Sequence, residues 1–133
     1  MSTTQQPATR RTQQRDAILK AFVDASRPLG PQEVLELAVE TVPSLGIATV
    51  YRTLKKFLSE DVIQVVELPG ATNRYELAGL GHHHHFCCRA CDRVFDIEGC
   101  PNQIADLAPK GFQLEAHELV LYGVCSSCTT ADA

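Results

Sequence analysis

The sequence predicts an α+β chain in two parts: three helices with a hairpin, then a small α/β unit tied together by cysteine pairs. Three observations carry this. Apolar stripes at helical period fill residues 10–59, and β-branched runs flanking a turn at 69–73 follow them. Two C-x-x-C pairs, Cys88/Cys91 and Cys125/Cys128, bracket the second half. The charge divides at the same place. Through Leu58, Lys and Arg number eight against five Asp and Glu, and from Ser59 onward four against eleven. A basic front joined to an acidic, ligand-rich back is the asymmetry of a binder with a separate sensor.

Residues before about Thr9 are polar and read as a disordered lead. A first helix is expected from Arg10, with Ile18, Leu19, Phe22 and Val23 as its apolar stripe and Arg10, Arg11, Arg15 and Lys20 supplying charge. Pro31 at a first helical position and Glu33 in the first turn start a second helix, whose inward side is Val34, Leu35, Ala38 and Val39. Punctuation at 43–46 ends it. The third helix, residues 48–59, places Ile47, Val50, Leu54, Phe57 and Leu58 on one side and Thr49, Arg52, Thr53, Lys55 and Lys56 on the other, with Tyr51 at the boundary. Strands at 62–68 and 74–77 then form a hairpin. A hairpin directly after a basic third helix describes a winged helix-turn-helix DNA-binding domain, residues 1–78. The plainer reading is a small α+β domain with a solvated charged helix and Tyr51 in its core.

Glycines at 79–81 mark a hinge, and residues 82–133 form the second domain. It opens with His82-His83-His84-His85. In an extended run successive side chains point to opposite faces, so His82 and His84 face one way and His83 and His85 the other. One run can therefore serve two metal sites. An affinity tag has the same composition, but tags sit at termini and this run abuts C-x-x-C. The two C-x-x-C pairs can close a tetrahedral four-thiolate zinc site with bonds of about 2.3 Å. Without a signal peptide's apolar core, they read as thiolate ligands and not as a secreted disulfide framework. A strand at 93–97, a helix at 101–108 with Ile104, Leu107 and Ala108 inward, and a strand-like stretch at 112–122 complete the unit. Cys87 reads as a small buried hydrophobe. No apolar run is long enough to span a bilayer, and a cytoplasmic, membrane-free protein is expected.

At these residues the chain resembles the ferric uptake regulator superfamily over nearly its whole length. The match lies in Gly46-Ile47-Ala48-Thr49-Val50-Tyr51-Arg52-Thr53-Leu54, in Asn73-Arg74-Tyr75-Glu76, and in the His-rich run leading to Cys88-x-x-Cys91. His117 ahead of Leu121-Tyr122-Gly123, and the closing Cys125-x-x-Cys128, complete it. The resemblance implies a homodimeric repressor that binds double-stranded operator DNA with inverted-repeat half-sites, built from a winged helix and an α/β dimerisation domain. It implies structural Zn²⁺ on Cys88, Cys91, Cys125 and Cys128. It implies a regulatory hinge site on Glu76, His83, His85 and Asp96, and an additional site on His82, His84 and His117 with a ligand from the intervening segment. Arg11, Arg15, Thr49, Tyr51, Arg52 and Lys55 become the candidate DNA contacts. A second divalent metal acts as co-repressor, and loss of metal releases the DNA and turns on metal-uptake genes.

Three departures from the family pattern shape the metal reading. His84 stands where many iron-responsive members have aspartate and zinc-responsive members often have histidine, which favours Zn²⁺ and the zinc uptake branch. Pro28 replaces a histidine that many members carry before the second helix. The stretch from Cys91 to His117 is slightly short, so the family's helix glutamate aligns with either Cys100 or Gln103. Cys100 is the favoured ligand, because a thiolate binds zinc far better than a neutral amide does. Iron, manganese and nickel sensors share the scaffold and remain alternatives. Glu76 and Asp96 also read as plain strand charges. A zinc deaminase would need H-x-E with P-C-x-x-C, which is absent. A zinc-stapled interaction module, DNA binding without metal response, and a redox switch on Cys87 and Cys100 are the other readings.

Overall fold

The computed structural model describes residues 9–101 and 103–131; the polar lead before Thr9 lies outside them. The chain divides into two compact units, Met1–Ala78 and Gly79–Ala133. The first contains α1 (Arg10–Ala25), α2 (Pro31–Ala38), α3 (Ile47–Ser59), β1 (Ile63–Val66) and β2 (Arg74–Leu77). Each helix start has a local cause. Thr9 caps α1, its Oγ1 accepting from the Thr12 N–H at 3.1 Å. Pro31 occupies the first turn of α2, and the Glu33 carboxylate accepts the Gly30 N–H at 3.2 Å.

The core of this unit runs through Ile18, Phe22, Leu29, Val34, Val50, Leu54, Phe57 and Ile63, all at most 2 % exposed. On α1 the buried face is Ala17, Ile18, Ala21 and Phe22, while Val23 is 54 % exposed. The expected stripe is thus rotated: the small alanines at i and i+4 occupy the interface, and Val23 lies about 100° round the helix from Phe22. On α3 the inward residues are Val50, Leu54 and Phe57, with Ile47 partly exposed. Tyr51 is 56 % exposed, so the reading that put it in the core is corrected.

β1 and β2 pair antiparallel, setting Gln64 opposite Glu76. The hairpin is fastened to the helices twice. Leu29 and Tyr75 exchange both backbone hydrogen bonds at 2.8 Å. Glu33 also accepts from Arg27 at 2.7 Å, with the Arg74 guanidinium 3.7 Å away.

The second unit holds β3 (His84–Cys88), β4 (Val94–Ile97), a 3₁₀ turn (Ile104–Leu107), β5 (Val120–Gly123) and α4 (Ser126–Ala131). Its sheet order is β4-β3-β5, with β4 antiparallel and β5 parallel to the central β3. Gly123 suits this place, since a Cβ there would meet the end of the Phe86 ring at 3.0 Å and the ring would have to give by a few tenths of an ångström. Two expectations are corrected. The helix at 101–108 is only the 3₁₀ turn, with Leu107 80 % exposed and Ala108 already extended at ψ 138. Pro109 explains this: it has no N–H for the Ala105 carbonyl and forces its predecessor out of the helical region. The strand-like stretch at 112–122 is regular only from Val120, because β3 offers β5 partners only from His85 to Cys88. Phe112, at 72 % exposure, lies in the unpaired part.

The burial pattern yields a paired stability test. Phe57→Ala should cost the first unit about 3–5 kcal/mol, the range for emptying a buried aromatic site. Tyr51→Ala should stay within about 0.5 kcal/mol of wild type. Urea unfolding of both variants checks the contrast.

Candidate metal centres and nucleic-acid face

Within the second unit the donor side chains gather in three places, and in each the ligand atoms lie within 4.8 Å of one another. The first is Cys88, Cys91, Cys125 and Cys128. Cys88 ends β3, Cys91 lies in the tight turn that follows, closed by the Asp92 N–H on the Cys88 carbonyl, and the other pair sits between β5 and the first turn of α4. The Cys91 and Cys125 sulfurs are 3.8 Å apart. Four bonds of about 2.3 Å around a tetrahedral ion put sulfurs about 3.8 Å apart, so the set has the dimensions of a zinc tetrathiolate. The Cys125 N–H donates to Cys88 Sγ at 3.3 Å and pulls that thiol down to about 6, against the burial that pushes it up. Burial pushes Cys91 up, and contact with Cys125 pushes Cys128 up to about 12. Four clustered sulfurs cannot all carry charge by themselves. A divalent cation removes that conflict and displaces the remaining protons.

The second place is His82, His84, His117 and Cys100. The Nε2 atoms of His82 and His84 each lie 3.1 Å from His117 Nε2, and Cys100 Sγ is 3.1 Å from His84 Nε2 and 3.5 Å from His117 Nε2. Three ring nitrogens converging on a sulfur form a donor set that fits a tetrahedral metal. His84 is 2 % exposed, and burial first, then the neighbouring His82 and His117, hold it below its ordinary 6.5. It is therefore the neutral imidazole that a metal requires.

The third place is formed by His83, His85 and Asp96. His83 and His85 Nε2 both lie 3.4 Å from Asp96 Oδ1. The His83 Nδ1–H donates to the Gly81 carbonyl at 2.8 Å, which directs Nε2 toward Asp96. Two imidazole nitrogens and a carboxylate oxygen make a mixed donor set. Glu76 lies in the first unit, where it is 3 % exposed on β2 and accepts from Gln64 Nε2 at 2.8 Å.

The run's alternation holds even though β3 begins only at His84: the rings of His82 and His84 stand 4.6 Å apart, and those of His83 and His85 4.8 Å apart. Cys87 is half-buried and belongs to none of the three sets.

In the first unit, a cleft of about 490 Å³ is lined by α1 and α3. Arg10, Arg11, Arg15, Arg52 and Lys56 supply five cations, and no carboxylate lines it. The Arg15 guanidinium stacks over the Phe57 ring at 5.3 Å, and Arg52 donates to Thr49 Oγ1 at 3.0 Å. Of the sequence-predicted contacts, Arg11, Arg15, Thr49 and Arg52 line the cleft, whereas Tyr51 and Lys55 are exposed beside it. Arg10, Gln14, Thr53 and Lys56 join the cleft and had not been singled out as contacts. For Thr53 and Lys56 the signal was in the sequence: 49, 52, 53 and 56 follow the i, i+3, i+4, i+7 spacing of one helix face.

Residues 6–122 match the Ferric uptake regulator family. The chain belongs to that family. A curated relative, the ferric uptake regulation protein of Campylobacter jejuni, is 33% identical over 127 residues, covering 92% of this chain and 81% of the relative. Among solved structures, a zinc-bound manganese uptake regulator superposes with a TM-score of 0.75 at 29% identity, covering 88% of this chain and 91% of the other. The Francisella tularensis ferric uptake regulator with iron does so with a TM-score of 0.62 at 28% identity, covering 97% and 98%. The chain thus has the family fold, a winged helix followed by an α/β dimerisation-type domain, and its family is one of metal-responsive regulators.

Two outcomes follow from the geometry. Cys88→Ser or Cys128→Ser should lose the tetrathiolate zinc and leave the second unit partly unfolded, since structural zinc contributes about 10–16 kcal/mol in small domains. Zinc content and circular dichroism check this. For His84, the folded-state value lies below the unfolded 6.5, so the unfolded chain takes up the proton first as pH falls. The stability this imidazole contributes is present above pH 6.5 and declines on acidification through it. Urea midpoints of the second unit at pH 7.5 and 5.5, with no ion added beyond the tetrathiolate zinc, should fall with pH, and by less in His84→Gln.

Proposed function

We propose that this chain is a zinc-responsive DNA-binding repressor that controls metal-uptake genes in the cytoplasm. The observation that carries DNA binding is the cleft with five cations and no carboxylate, on the face that a winged helix presents to a duplex. Arg11, Arg15 and Arg52 neutralise phosphates, with Thr49 beside them in the cleft and Tyr51 and Lys55 exposed on another part of the α3 surface. Zinc as the sensed ion is supported by the family resemblance at position 84, where zinc-responsive members often have the histidine that this chain carries. The named relatives extend the range of possible ions: ferric uptake regulation for one, zinc-bound manganese uptake for another. Iron or manganese is the second reading, favoured by the carboxylate of Asp96 in the third set.

We assign structural zinc to the four cysteines and the regulatory ion to His83, His85 and Asp96, with Glu76 as the wing's ligand, as the family resemblance implies. In that role Glu76 couples the wing to the sensor. Its differential contacts in the two arrangements set how far the equilibrium shifts, and a full switch needs about 5.5 kcal/mol. Homodimerisation is supported by large apolar side chains exposed on and around β5, Leu114, Leu121, Tyr122 and Val124 among them. Two third helices held about 34–36 Å apart would read half-sites one turn apart. Among the described residues no helix is long and apolar enough to cross a membrane.

The reading is tested on duplexes selected from a random pool in the presence of Zn²⁺. They should carry inverted repeats, release the protein on chelation, and lose affinity steeply with salt. Arg52→Ala and Arg15→Ala should each weaken binding by about 1–3 kcal/mol with metal content unchanged. His83→Ala and His85→Ala should abolish metal-dependent binding while keeping the tetrathiolate zinc; His82→Ala, His84→Ala and His117→Ala should act more mildly and lose a different ion. Salt-insensitive binding, or one shared ion lost in both histidine groups, would contradict the assignment. Restoration by Fe²⁺ or Mn²⁺ but not Zn²⁺ would select the second reading.

A further inference from the structure

The two histidine-based sets differ in the character of one donor. His83 and His85 are joined by the hard oxygen of Asp96. His82, His84 and His117 are joined by the soft sulfur of Cys100. Tetrahedral bonds of about 2.0 Å to nitrogen and 2.3 Å to sulfur separate neighbouring donors by about 3.3–3.6 Å. The observed separations of 3.1 and 3.5 Å need only small adjustment to reach this. Gly99, at φ 87, turns the chain after β4 and delivers the sulfur to rings carried by other segments.

We propose that Cys100 is the specificity-determining residue of this set, admitting borderline-soft tetrahedral ions such as Zn²⁺, Co²⁺ and Cd²⁺ and rejecting Mn²⁺, which is confined to the Asp96 set. The inference rests on reading both sets as metal sites. Its physical basis is twofold. Mn²⁺ binds most weakly of the first-row divalent ions at any such site, and thiolate ligation widens the gap in favour of thiophilic ions. Binding forms one metal–sulfur bond as the Cys100 S–H proton passes to buffer; the three imidazoles enter neutral, and no electrons are transferred. One chain would thereby sort ions between two faces of a single strand.

The test needs no DNA. Dialysed protein that retains its tetrathiolate zinc is treated with an alkylating agent alone, with Zn²⁺, and with Mn²⁺, and modification of the exposed Cys100 is read by mass spectrometry of its peptide. Zn²⁺ should slow alkylation by about tenfold or more, because the thiolate is the reacting species, and Mn²⁺ should leave the rate unchanged. Co²⁺ should give thiolate-to-cobalt absorption in the wild type that Cys100→Ser lacks. Cys100→Asp should bind Mn²⁺ at this set, seen by electron paramagnetic resonance, and lose about a hundredfold in Zn²⁺ affinity, the upper end of what even an outer partner's loss costs. Equal alkylation rates with and without Zn²⁺, or protection by Mn²⁺ as strong as by Zn²⁺, would overturn the proposal. Failure of the regulatory reading would appear instead as metal-independent operator binding, a separate measurement.

Discussion

Four sulfur atoms gather within 4.8 Å of one another in a second unit that has little hydrophobic core of its own. Among the described residues, only Cys88, Val94 and His84 of that unit are buried, whereas the first unit buries a continuous set from Ala17 to Ile63. So few buried apolar groups cannot offset the entropy of ordering the unit's chain. Metal held by the four thiolates, as proposed, would supply the difference, because binding free energy at a site absent from the unfolded chain is folding free energy. The consequence reaches the histidines. Cys88 is the last residue of β3, so the anchor that fixes it also fixes the direction and register of the strand carrying His84 and His85.

The first unit is organised on the opposite principle. Its helices pack on Phe22 and Phe57, and its polar contacts work at the margins of that core. Glu33 is the busiest of these, ending the α2 backbone ladder at Gly30 while holding Arg27 and facing Arg74. With the Leu29–Tyr75 backbone pair, this makes β2 an extension of the helical scaffold and not a loose flap. A buried carboxylate such as Glu76 is expensive unless it is hydrogen-bonded or bound to a cation. Gln64, directly across the ladder, supplies one bond and sets the orientation of the side chain.

Periodicity made much of this legible. The α3 faces and the alternation of the histidine run follow from spacings of 3.6 and 2 that need no tertiary information. What stayed hidden depended on partners. Val23 is as apolar as Phe22, but α1 presents its alanine side to the other helices, and small residues signal weakly in a hydrophobic stripe. Residues 112–119 have strand-forming composition without a strand to pair with, and the β3 register alone decides that. Pro109 was visible, and its veto on a helix through Ala108 is a rule of backbone geometry that the apolar pattern at 101–108 obscured. The short α4, within which Cys128 sits, carries no apolar stripe to announce it. Cys100 and Gln103 could not be separated by counting residues, because the shortened connection between β4 and the 3₁₀ turn leaves the count ambiguous; the sulfur's approach to His84 requires three-dimensional placement.

Alternation along the histidine run has a further consequence for how such a chain can change over evolutionary time. Grouping within the run is a matter of parity: its even-numbered histidines gather in one cluster of donors, its odd-numbered ones in the other. Point substitutions edit one centre at a time. Inserting or deleting a single residue between His82 and Cys88 would instead exchange the two faces for every position upstream of the change. The segment should therefore drift by replacement and hold its length fixed, even though it begins beside a glycine-bearing connection where length variation is ordinarily well tolerated.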